Sequence, residues 1–552
     1  MNIAPRSVEI DAKSLSSFPS SDNGCGLSSI FCWSDVIKVF HLKMQLYTYL
    51  TAVALLFCCC AARKNVLLII FDDLRPALGC YGDRNAVTPN IDKIAQDGIV
   101  FWKAYAQQAL CAPSRNSFLT SRRPDTLHLY DFYSYWRTFS GNYTTIPQYF
   151  KENGYHTKSV GKVFHPGISS NFSDDQPFSW SEEPFHPSTE TYKNAAVCYS
   201  DDDPFVGRKN VVCPVRMSSQ PGGSLPDDET TREAVQFLRT ADLKSPFFLA
   251  VGFHKPHLPL KYPQHFDGYH HLDDVVLPQH RTRPAGMPEV AWNPWTDLRE
   301  RHDIAKLGLD FPFGRVPDEK AKLILRSYYA SVTYVDSLLG QIINELEASG
   351  KYEDTVIALL GDHGWSLGEH GEWSKYSNYD VATRVPLILH APTTITNMVG
   401  SEVRSDPVEL LDLFPTLVHL AGLPTVPPCG LKSKETKLCT EGKNIFDRSE
   451  VREAFSQYPR PSVAPQKNSD KPKLADIRIM GYSIVTDRFR YTEWVGFRNF
   501  TPQWSDLVGK ELYDHKKDQD EADNVVESQQ YSDDVEFLSQ RLRTVNREFS
   551  AN

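Results

Sequence analysis

The sequence predicts an α/β fold in which a large, mostly parallel sheet lies between layers of helices, followed by a smaller C-terminal α+β domain. Apolar runs of strand length alternate along most of the chain with longer segments of helical periodicity, which is typical of β-α-β units. The runs are nearly continuous, as in strands that are buried on both faces. Toward the C-terminus, residues 477–485 and 489–495 instead alternate apolar and polar positions, which indicates an antiparallel hairpin.

Length and composition are those of an ordinary large globular protein. The chain has 552 residues, of which 41% are hydrophobic and 23% are charged, enough for one large and one smaller domain. The net charge of −10 argues against a nucleic-acid-binding protein. An anionic substrate would therefore have to meet a local cluster of cations, because the overall field repels it.

An apolar run at 44–62, MQLYTYLTAVALLFCCCAA, ends in small residues. This is typical of a signal peptide with cleavage near 60–62. A membrane anchor is the alternative, but the run falls short of the roughly 20 apolar residues that a span requires, so no stable anchor is expected. Residues 1–43 resemble no structured element and are predicted to be an upstream extension, with Met44 the expected start.

Loss of the leader would leave six cysteines in a secreted chain. Two close pairs would form short-loop disulfides in an oxidising compartment, namely Cys198 with Cys213 and Cys429 with Cys439. Cys80 and Cys111 remain; a bridge between them is conceivable, but a buried free thiol is the expectation for Cys80. Sequons fit a secretory route and begin at Asn142, Asn171 and Asn499.

The elements of the large domain, predicted for residues 63–443, follow from these patterns in chain order. Strands are expected at 65–71, 156–160, 246–253, 352–360 and 385–389, and helices at 90–98, 146–153, 227–239, 319–349 and 407–421. Residues 264–318 are rich in proline, histidine and aromatics without a period, which predicts a long surface insertion at the substrate rim.

A proline-rich, cysteine-containing stretch at 422–443 is predicted to be the domain boundary. The second domain, 444–552, would contain the hairpin, a short strand at 511–513 and a closing helix at 534–549. The segment SQYPRPS at 456–462 is expected to lie between the domains and to reach back toward the active site.

Polar side chains follow four of the predicted strands. Ligands of open α/β sheets gather outside the carboxyl ends of the strands, so these side chains are candidates for one site. Caps, turns and solvated lysines are the alternative for each alone, but their recurrence favours a site. They are Asp72 and Asp73, Lys162 and His165, His254, Lys255 and His257, and Asp362 and His363, with Lys375 in the glycine-rich loop that follows.

Cys111 lies in LCAPSR, without a nearby partner for a disulfide. A lone cysteine is either a buried small hydrophobe or a reactive or modified residue, and these six residues alone support both interpretations equally.

The pattern CxPxR resembles the signature of the type I sulfatase family, which has an alkaline phosphatase-like fold. Similarity extends from about Asn65 to Asp514 through GKVFHPG, FHKPHLP, GDHGWSLGEHGEWSKYSN, SQYPRPS and IMGYSI. The resemblance implies that a formylglycine-generating enzyme, which reads Pro113 and Arg115, converts Cys111 to Cα-formylglycine. It also implies attack of the hydrated aldehyde on sulfur and a sulfo-enzyme intermediate that collapses to the aldehyde.

The resemblance further implies a metal site formed by Asp72, Asp73, Cys111, Asp362 and His363. Three carboxylates favour a hard cation, so Ca²⁺ is expected. The family often has asparagine where this chain has His363, which leaves direct binding by His363 open. Zinc is the competing ion, although it normally takes more histidine or cysteine ligands.

The remaining roles also come from the resemblance. Arg115 and Lys162 would stabilise charge on the nucleophile and sulfate, and Lys375 would bind a sulfate oxygen. His165 would hold or deprotonate the nucleophile, and His254 would protonate the leaving alcohol. The two histidines could exchange these roles.

The implied substrate is a sulfated glycosaminoglycan oligosaccharide of heparan or dermatan sulfate that ends in 2-O-sulfated L-iduronate, hydrolysed in the lysosome. Its carboxylate calls for a further cation, for which Lys375, Arg384 and Arg460 are candidates. Alternatives are a sulfatase of different sugar specificity, a phosphatase of the same superfamily, which would need a serine or threonine nucleophile, and an inactive calcium-dependent glycan-binding protein.

Overall fold

The structure, a computed structural model, describes residues 63–200, 203–240, 245–392, 401–430, 433–447 and 451–550. The segment from Arg63 to Asn552 forms one compact unit. The predicted extension at 1–43 and signal peptide at 44–62 lie outside the described residues. No helix within these ranges combines the length and apolar character needed to cross a bilayer.

The described strands and helices are numbered in chain order. The strands are β1 Asn65–Asp72, β2 Ile99–Tyr105, β3 His156–Gly161, β4 Cys198–Ser200, β5 Asp203–Arg208, β6 Val212–Val215, β7 Phe247–Pro256, β8 Leu260–Pro263, β9 Thr355–Gly361, β10 Ser366–Leu367, β11 Trp373–Ser374, β12 Arg384–His390, β13 Glu402–Arg404, β14 Val408–Glu409, β15 Ala454–Arg460, β16 Ile479–Val485, β17 Phe489–Arg498 and β18 Thr501–Asp514. The helices are α1 Pro89–Gln96, α2 Cys111–Thr120, α3 Pro124–Leu127, α4 Trp136–Phe139, α5 Ile146–Glu152, α6 Pro226–Thr240, α7 Thr296–Arg299, α8 His302–Ala305, α9 Asp318–Ala348, α10 Asp380–Thr383, α11 Leu413–Leu420 and α12 Ser532–Ser550.

The central sheet has the strand order β13-β2-β12-β9-β1-β7-β3, with β14 also beside β2. Strand β1 pairs in parallel with β7 and β9, and β3 continues the parallel arrangement beyond β7. Strand β12 is antiparallel to both β9 and β2. The expectation of a mostly parallel sheet is therefore confirmed, with one reversed strand inside it.

Both faces of β1 are buried, which explains its continuous apolar sequence. Leu67 and Ile69 pack in the cluster that includes residues of α1, α6 and α9. Leu68 and Ile70 point to the other face and pack with residues of α2, α5 and α11. Helices therefore cover the sheet on both sides, as predicted.

Two predicted elements have different starts. Residues Tyr352–Asp354 form a 3-10 turn, so the strand expected at 352–360 begins at Thr355. The helix expected at 407–421 is wrong in its first part, because Val408–Glu409 pairs with β2 and a 3-10 turn follows. Glu409 and Asp412 form a reciprocal capping box there, and this satisfies backbone donors at the start of the turn. The α-helix then begins at Leu413.

The surface insertion expected at 264–318 is also wrong. The segment contains α7 and α8 and several 3-10 turns, and the side chains of Trp292 and Trp295 are buried. Buried Asn293 donates through its backbone N–H to Glu372 Oε1 at 2.7 Å and through Nδ2 to the Trp373 carbonyl at 2.9 Å. Through these hydrogen bonds, the segment fixes the position of the glycine-rich loop that contains Lys375. Its aromatics lack a period because irregular backbone presents them to the core.

The C-terminal sheet has the antiparallel order β15-β16-β17-β18. It confirms the predicted hairpin, but the short strand expected at 511–513 is the end of the 14-residue β18. The segment 456–462 is largely strand β15 rather than a connector. The Gln457 N–H donates to the Gln107 carbonyl at 2.8 Å, and Ser456 Oγ donates to the Ala106 carbonyl at 2.7 Å. This strand therefore does reach the segment that precedes Cys111.

Both predicted disulfides are present, joining Cys198 to Cys213 and Cys429 to Cys439. Cys80 and Cys111 are free. Cys111 is buried, whereas Cys80 is only partly buried, which corrects the expectation of a fully buried thiol at position 80.

Candidate active site

The carboxyl ends of β1, β3, β7 and β9 meet at one edge of the sheet, and the predicted site residues follow these strands. The N-terminus of α2 points to the same place and starts with Cys111. A group of three carboxylates, three cations and one histidine surrounds the thiol there. These residues are Asp72, Asp73, Arg115, Lys162, Asp362, His363 and Lys375, all 5% exposed or less.

The Cys111 thiol is the centre of this group. Its Sγ atom lies 3.4 Å from Asp72 Oδ1, 3.4 Å from His363 Nε2 and 3.1 Å from Lys375 Nζ. Burial, followed by the negative charge of Asp72, raises the pKa of the thiol to about 12. The unmodified thiol is therefore protonated at neutral pH, and a protonated thiol is a poor nucleophile.

Asp73 follows β1 in a left-handed backbone conformation, with φ of 66°. Its backbone N–H donates to Asp362 Oδ1 at 3.0 Å, which ties the ends of β1 and β9 together. Its buried Oδ2 atom has no hydrogen-bond partner among the described residues. Burial is the largest cause of a raised pKa for Asp73, and the nearby Asp72 carboxylate adds to it. A buried carboxylate oxygen without a partner is costly unless a cation binds it.

His363 presents an unprotonated nitrogen to the thiol. Its Nδ1 lies 3.0 Å from the Gly364 carbonyl, and because a carbonyl only accepts, Nδ1 has to carry the proton. Burial lowers the pKa of His363, which favours the neutral ring. The Nε2 lone pair therefore faces the cluster, as in histidines that bind metals.

Three cations pair with the three carboxylates. Lys162 Nζ lies 2.5 Å from Asp72 Oδ2, Arg115 Nε lies 2.9 Å from Asp362 Oδ2, and Lys375 Nζ lies 2.6 Å from Asp73 Oδ1. Burial alone would raise the pKa of Asp72, but the positive charges of Lys162, His257 and Arg115 hold it well below its usual range. Asp72 is therefore ionised, and three positive side chains lie among the three carboxyl groups.

Lys162 owes its position to a close backbone approach between β3 and β7. Its N–H donates to the Gly252 carbonyl at 2.8 Å. A Cβ atom at position 252 would lie 1.9 Å from the Lys162 carbonyl oxygen, so only glycine fits there.

The described residues fit a metal ion. Ligand atoms of Asp72, Cys111, Asp362 and His363 all lie within 4.8 Å of one another and are buried. The Oδ2 atom of Asp73, which has no hydrogen-bond partner among the described residues, is a further possible oxygen ligand for the ion. Carboxylate oxygens in this number are typical of hard divalent cations.

The two histidines that were predicted to move protons, His165 and His254, lie in different surroundings. His165 stacks on Phe132 at 4.4 Å between ring centroids. His254 lies beside two carboxylates, with Nδ1 3.3 Å from Asp227 and Nε2 3.4 Å from Glu190. The contact with Asp73 comes instead from a third histidine, which is among the candidates from the sequence but has no predicted role.

That histidine is His257, whose Nε2 lies 4.0 Å from Asp73 Oδ2. It can also form a group with Asp73 and Cys111 that would hold a metal. The signal for it was present in FHKPHLP, where both histidines follow β7.

Sequence comparison relates the chain to sulfatases. The family model described as Sulfatase matches residues 64–423, and the one described as N-sulphoglucosamine sulphohydrolase, C-terminal, matches residues 368–548. The chain is 49% identical over 486 residues to a Homo sapiens protein named iduronate 2-sulfatase, a match that covers 81% of this chain and 88% of the human protein. It is 48% identical over 504 residues to the Mus musculus protein of the same name, covering 84% and 91%.

Solved structures share the fold at lower identity. A phosphonate monoester hydrolase from Silicibacter pomeroyi has a TM-score of 0.64 at 21% identity, covering 88% of this chain and 96% of that chain. A protein in complex with its substrate D-glucosamine-2-N,6-O-disulfate has a TM-score of 0.61 at 22% identity, covering 89% and 99%. The Sulfatase family model spans more than half of the chain, and the mammalian relatives match over most of their length. The chain therefore belongs to the sulfatase family of sulfuric ester hydrolases.

Proposed function

We propose that this enzyme is a lysosomal exo-sulfatase that hydrolyses the 2-O-sulfate of terminal L-iduronate in heparan sulfate and dermatan sulfate. The observation that supports it most is the contact of Cys111 Sγ with Asp72, His363 and Lys375 at 3.1 to 3.4 Å. The names of the mammalian relatives support the choice of sugar.

The nucleophile of the proposed reaction is a modified residue 111. Its buried thiol has a raised pKa of about 12, so a formylglycine residue made by the formylglycine-generating enzyme suits the site better than cysteine. The hydrated aldehyde would supply a hydroxyl that attacks sulfur and a second hydroxyl whose deprotonation expels sulfate. Pro113 and Arg115 in CAPSR would be read by the modifying enzyme before folding, since both are buried afterwards.

The residues that would hold the metal are Asp72, Asp73, Asp362 and His363, together with residue 111. We infer that the ion is Ca²⁺, because oxygen ligands outnumber the single imidazole. Bound there, it would supply positive charge to the sulfate oxygens and the nucleophile. His363 would bind directly, because its Nδ1 proton faces the Gly364 carbonyl and its Nε2 lone pair is left over.

The cations of the cluster would stabilise negative charge as the ester is cleaved. Lys375 Nζ lies 3.1 Å from Cys111 Sγ, within reach of a sulfate oxygen at residue 111. Arg115 and Lys162 would orient Asp72 and balance its charge, because both pair with its carboxylate.

The histidines would move protons. Burial works against a charged His254, but hydrogen bonds to Asp227 and Glu190 raise its pKa. It is therefore protonated in an acidic compartment and suited to protonate the leaving alcohol. Burial and the charge of Lys162 lower the pKa of His165, so that ring is neutral and able to accept a proton from the nucleophile.

The test is hydrolysis of a defined disaccharide that ends in 2-O-sulfated L-iduronate. We expect release of sulfate from this substrate and none from a matched disaccharide ending in glucosamine 6-sulfate. Release from the control alone would mean a different sugar specificity. Binding of the disaccharide without release of sulfate would instead favour the inactive glycan-binding alternative.

A further inference from the structure

A 2-sulfated uronate carries a carboxylate on the same ring as the ester, so its recognition calls for a cation beyond those that face sulfate. The three candidates chosen from the sequence are all engaged. Lys375 pairs with Asp73, and Arg384 Nε lies 2.7 Å from Asp380 Oδ2. Arg460 is buried and donates to backbone carbonyls on four segments, including those of Val290 and Tyr376.

A cavity beside His254 offers other cations. It is lined by side chains that follow β7, by the start of α6 and by the 3-10 turn Ser188–Tyr192 with the residue after it. Its charged lining residues are Glu190, Lys193, Asp227, His254, Lys255 and Lys261. With His254 protonated, the lining residues include four positive groups and two carboxylates, so the cavity favours an anion.

Two of the three lysines that line this cavity donate hydrogen bonds to backbone carbonyls of the protein. Lys255 Nζ donates to the carbonyls of His257 and Pro259, the second at 2.8 Å. Lys261 Nζ donates to the carbonyls of Tyr192 and Lys193, each at 3.1 Å. Lys261 therefore fixes the backbone that presents Lys193 but does not itself face a ligand.

The Lys193 ammonium is different. It forms no hydrogen bond or ion pair within the described ranges, and the residue is partly exposed. Burial, followed by the like charge of Lys162, lowers the pKa of Lys193 to about 8, while Asp72 and Cys111 act in the opposite direction. The ammonium is therefore charged in an acidic compartment.

Lys193 lines the same cavity as His254, the residue proposed to protonate the leaving alcohol. That alcohol is a hydroxyl of the uronate ring itself, so an uncommitted and partly exposed cation beside His254 can reach a second group of the same sugar.

We propose that Lys193 binds the carboxylate of the uronate and thereby determines the specificity of the site for an acidic sugar. The proposal rests on the proposed function, because it assigns a contact for that substrate. Lys193 would be a binding residue, while the sulfate would be held by the cluster around residue 111.

The test is a direct binding measurement, independent of turnover. Calorimetry would compare an unsulfated disaccharide ending in L-iduronate with its carboxyl-reduced form, using wild type, Lys193→Met, Lys193→Arg and Lys209→Met. The last is a control at an exposed lysine, and thermal unfolding would check that every variant is folded. We expect wild type and Lys209→Met to bind the uronate about 10- to 100-fold more tightly than the reduced sugar. Lys193→Met should remove this preference and Lys193→Arg should keep most of it.

The proposal would be overturned if Lys193→Met kept the preference for the carboxylate. It would also be overturned if that variant weakened both sugars equally, or if wild type did not discriminate between them. Failure of the proposed function would look different, because wild type would then release no sulfate from the 2-sulfated disaccharide, whatever its binding preference.

Discussion

Arg115 and Asp362 form an ion pair with Nε 2.9 Å from Oδ2, and both side chains are fully buried. One residue belongs to helix α2, which starts at Cys111, and the other follows strand β9. The pair therefore joins the nucleophile's helix to the carboxyl end of the central sheet.

Replacing Arg115 with alanine should destabilise the fold as well as the active site. The change leaves Asp72 and Asp362 short of a buried counter-ion, which costs about 3–5 kcal/mol of unfolding free energy. Urea unfolding would measure it. Lys93→Ala is the matched control, because its ion pair with Glu347 is exposed and should be worth less than about 1 kcal/mol. Equal losses in the two variants would contradict the role of Arg115.

Active enzyme from animal cells should contain an aldehyde at residue 111, which mass spectrometry of the peptide that spans CAPSR would detect. Cys111→Ala should lose at least about 10³-fold in kcat, since nucleophile deletions have costs of this size or more. Cys111→Ser should accumulate a sulfated enzyme, because a serine hydroxyl lacks the second hydroxyl that expels sulfate. Unmodified thiol in fully active enzyme would rule out this chemistry.

Removal of the proposed calcium ion should abolish activity and lower the melting temperature. EGTA should do both, with recovery on adding Ca²⁺, whereas 1,10-phenanthroline should have little effect. The reverse pattern would identify zinc as the ion. Asp73→Asn should weaken calcium binding at least about tenfold by removing a charged ligand, and asparagine tolerates the left-handed backbone at this position.

Stability should fall as the pH rises from about 5 to 7. Burial raises the pKa of Glu372 to about 8 and is the main cause that raises that of Asp470 to about 7. Unfolded carboxyls titrate near pH 4, so the folded state holds protons that the unfolded state has released. The contribution of each group is therefore complete below about pH 4 and is lost as the pH approaches its folded pKa.

Denaturant unfolding across this range would measure the effect. Wild type should lose roughly 1 kcal/mol per pH unit for each carboxyl, and Glu372→Gln should lose distinctly less, because the amide does not ionise. An identical slope in the two proteins would show that Glu372 does not titrate in this window.

Sequence patterns predicted the strands that are buried on both faces, and with them the polar residues at their carboxyl ends. Strand β2 escaped prediction although its segment, IVFWKAY, is mostly apolar. It pairs with three strands, the reversed β12 and the short β13 and β14, so its surroundings have no local signature. The reversed direction of β12 was equally invisible, since direction depends on the path of the chain.

The site was predicted through motifs more than through geometry. Asp72, Asp362 and Cys111 come together because the ends of β1 and β9 and the start of α2 meet at one sheet edge. The sequence indicates the two strand ends. Their partners are harder to foresee. His257 and His254 have the same local pattern, and only the folded backbone decides which one faces Asp73. Lys193 directly follows a 3-10 turn, and no sequence motif includes it.

The anchoring of the glycine-rich loop by Asn293 limits how this enzyme could be re-engineered. Substrate rims are attractive targets for segment exchange between related hydrolases, on the assumption that they are modular. Here the segment that the sequence predicted to form such a rim fixes the backbone of Trp373 and Lys375. A chimera that replaced 264–318 as a cassette would therefore displace Lys375 and lose the chemistry along with the exchanged segment.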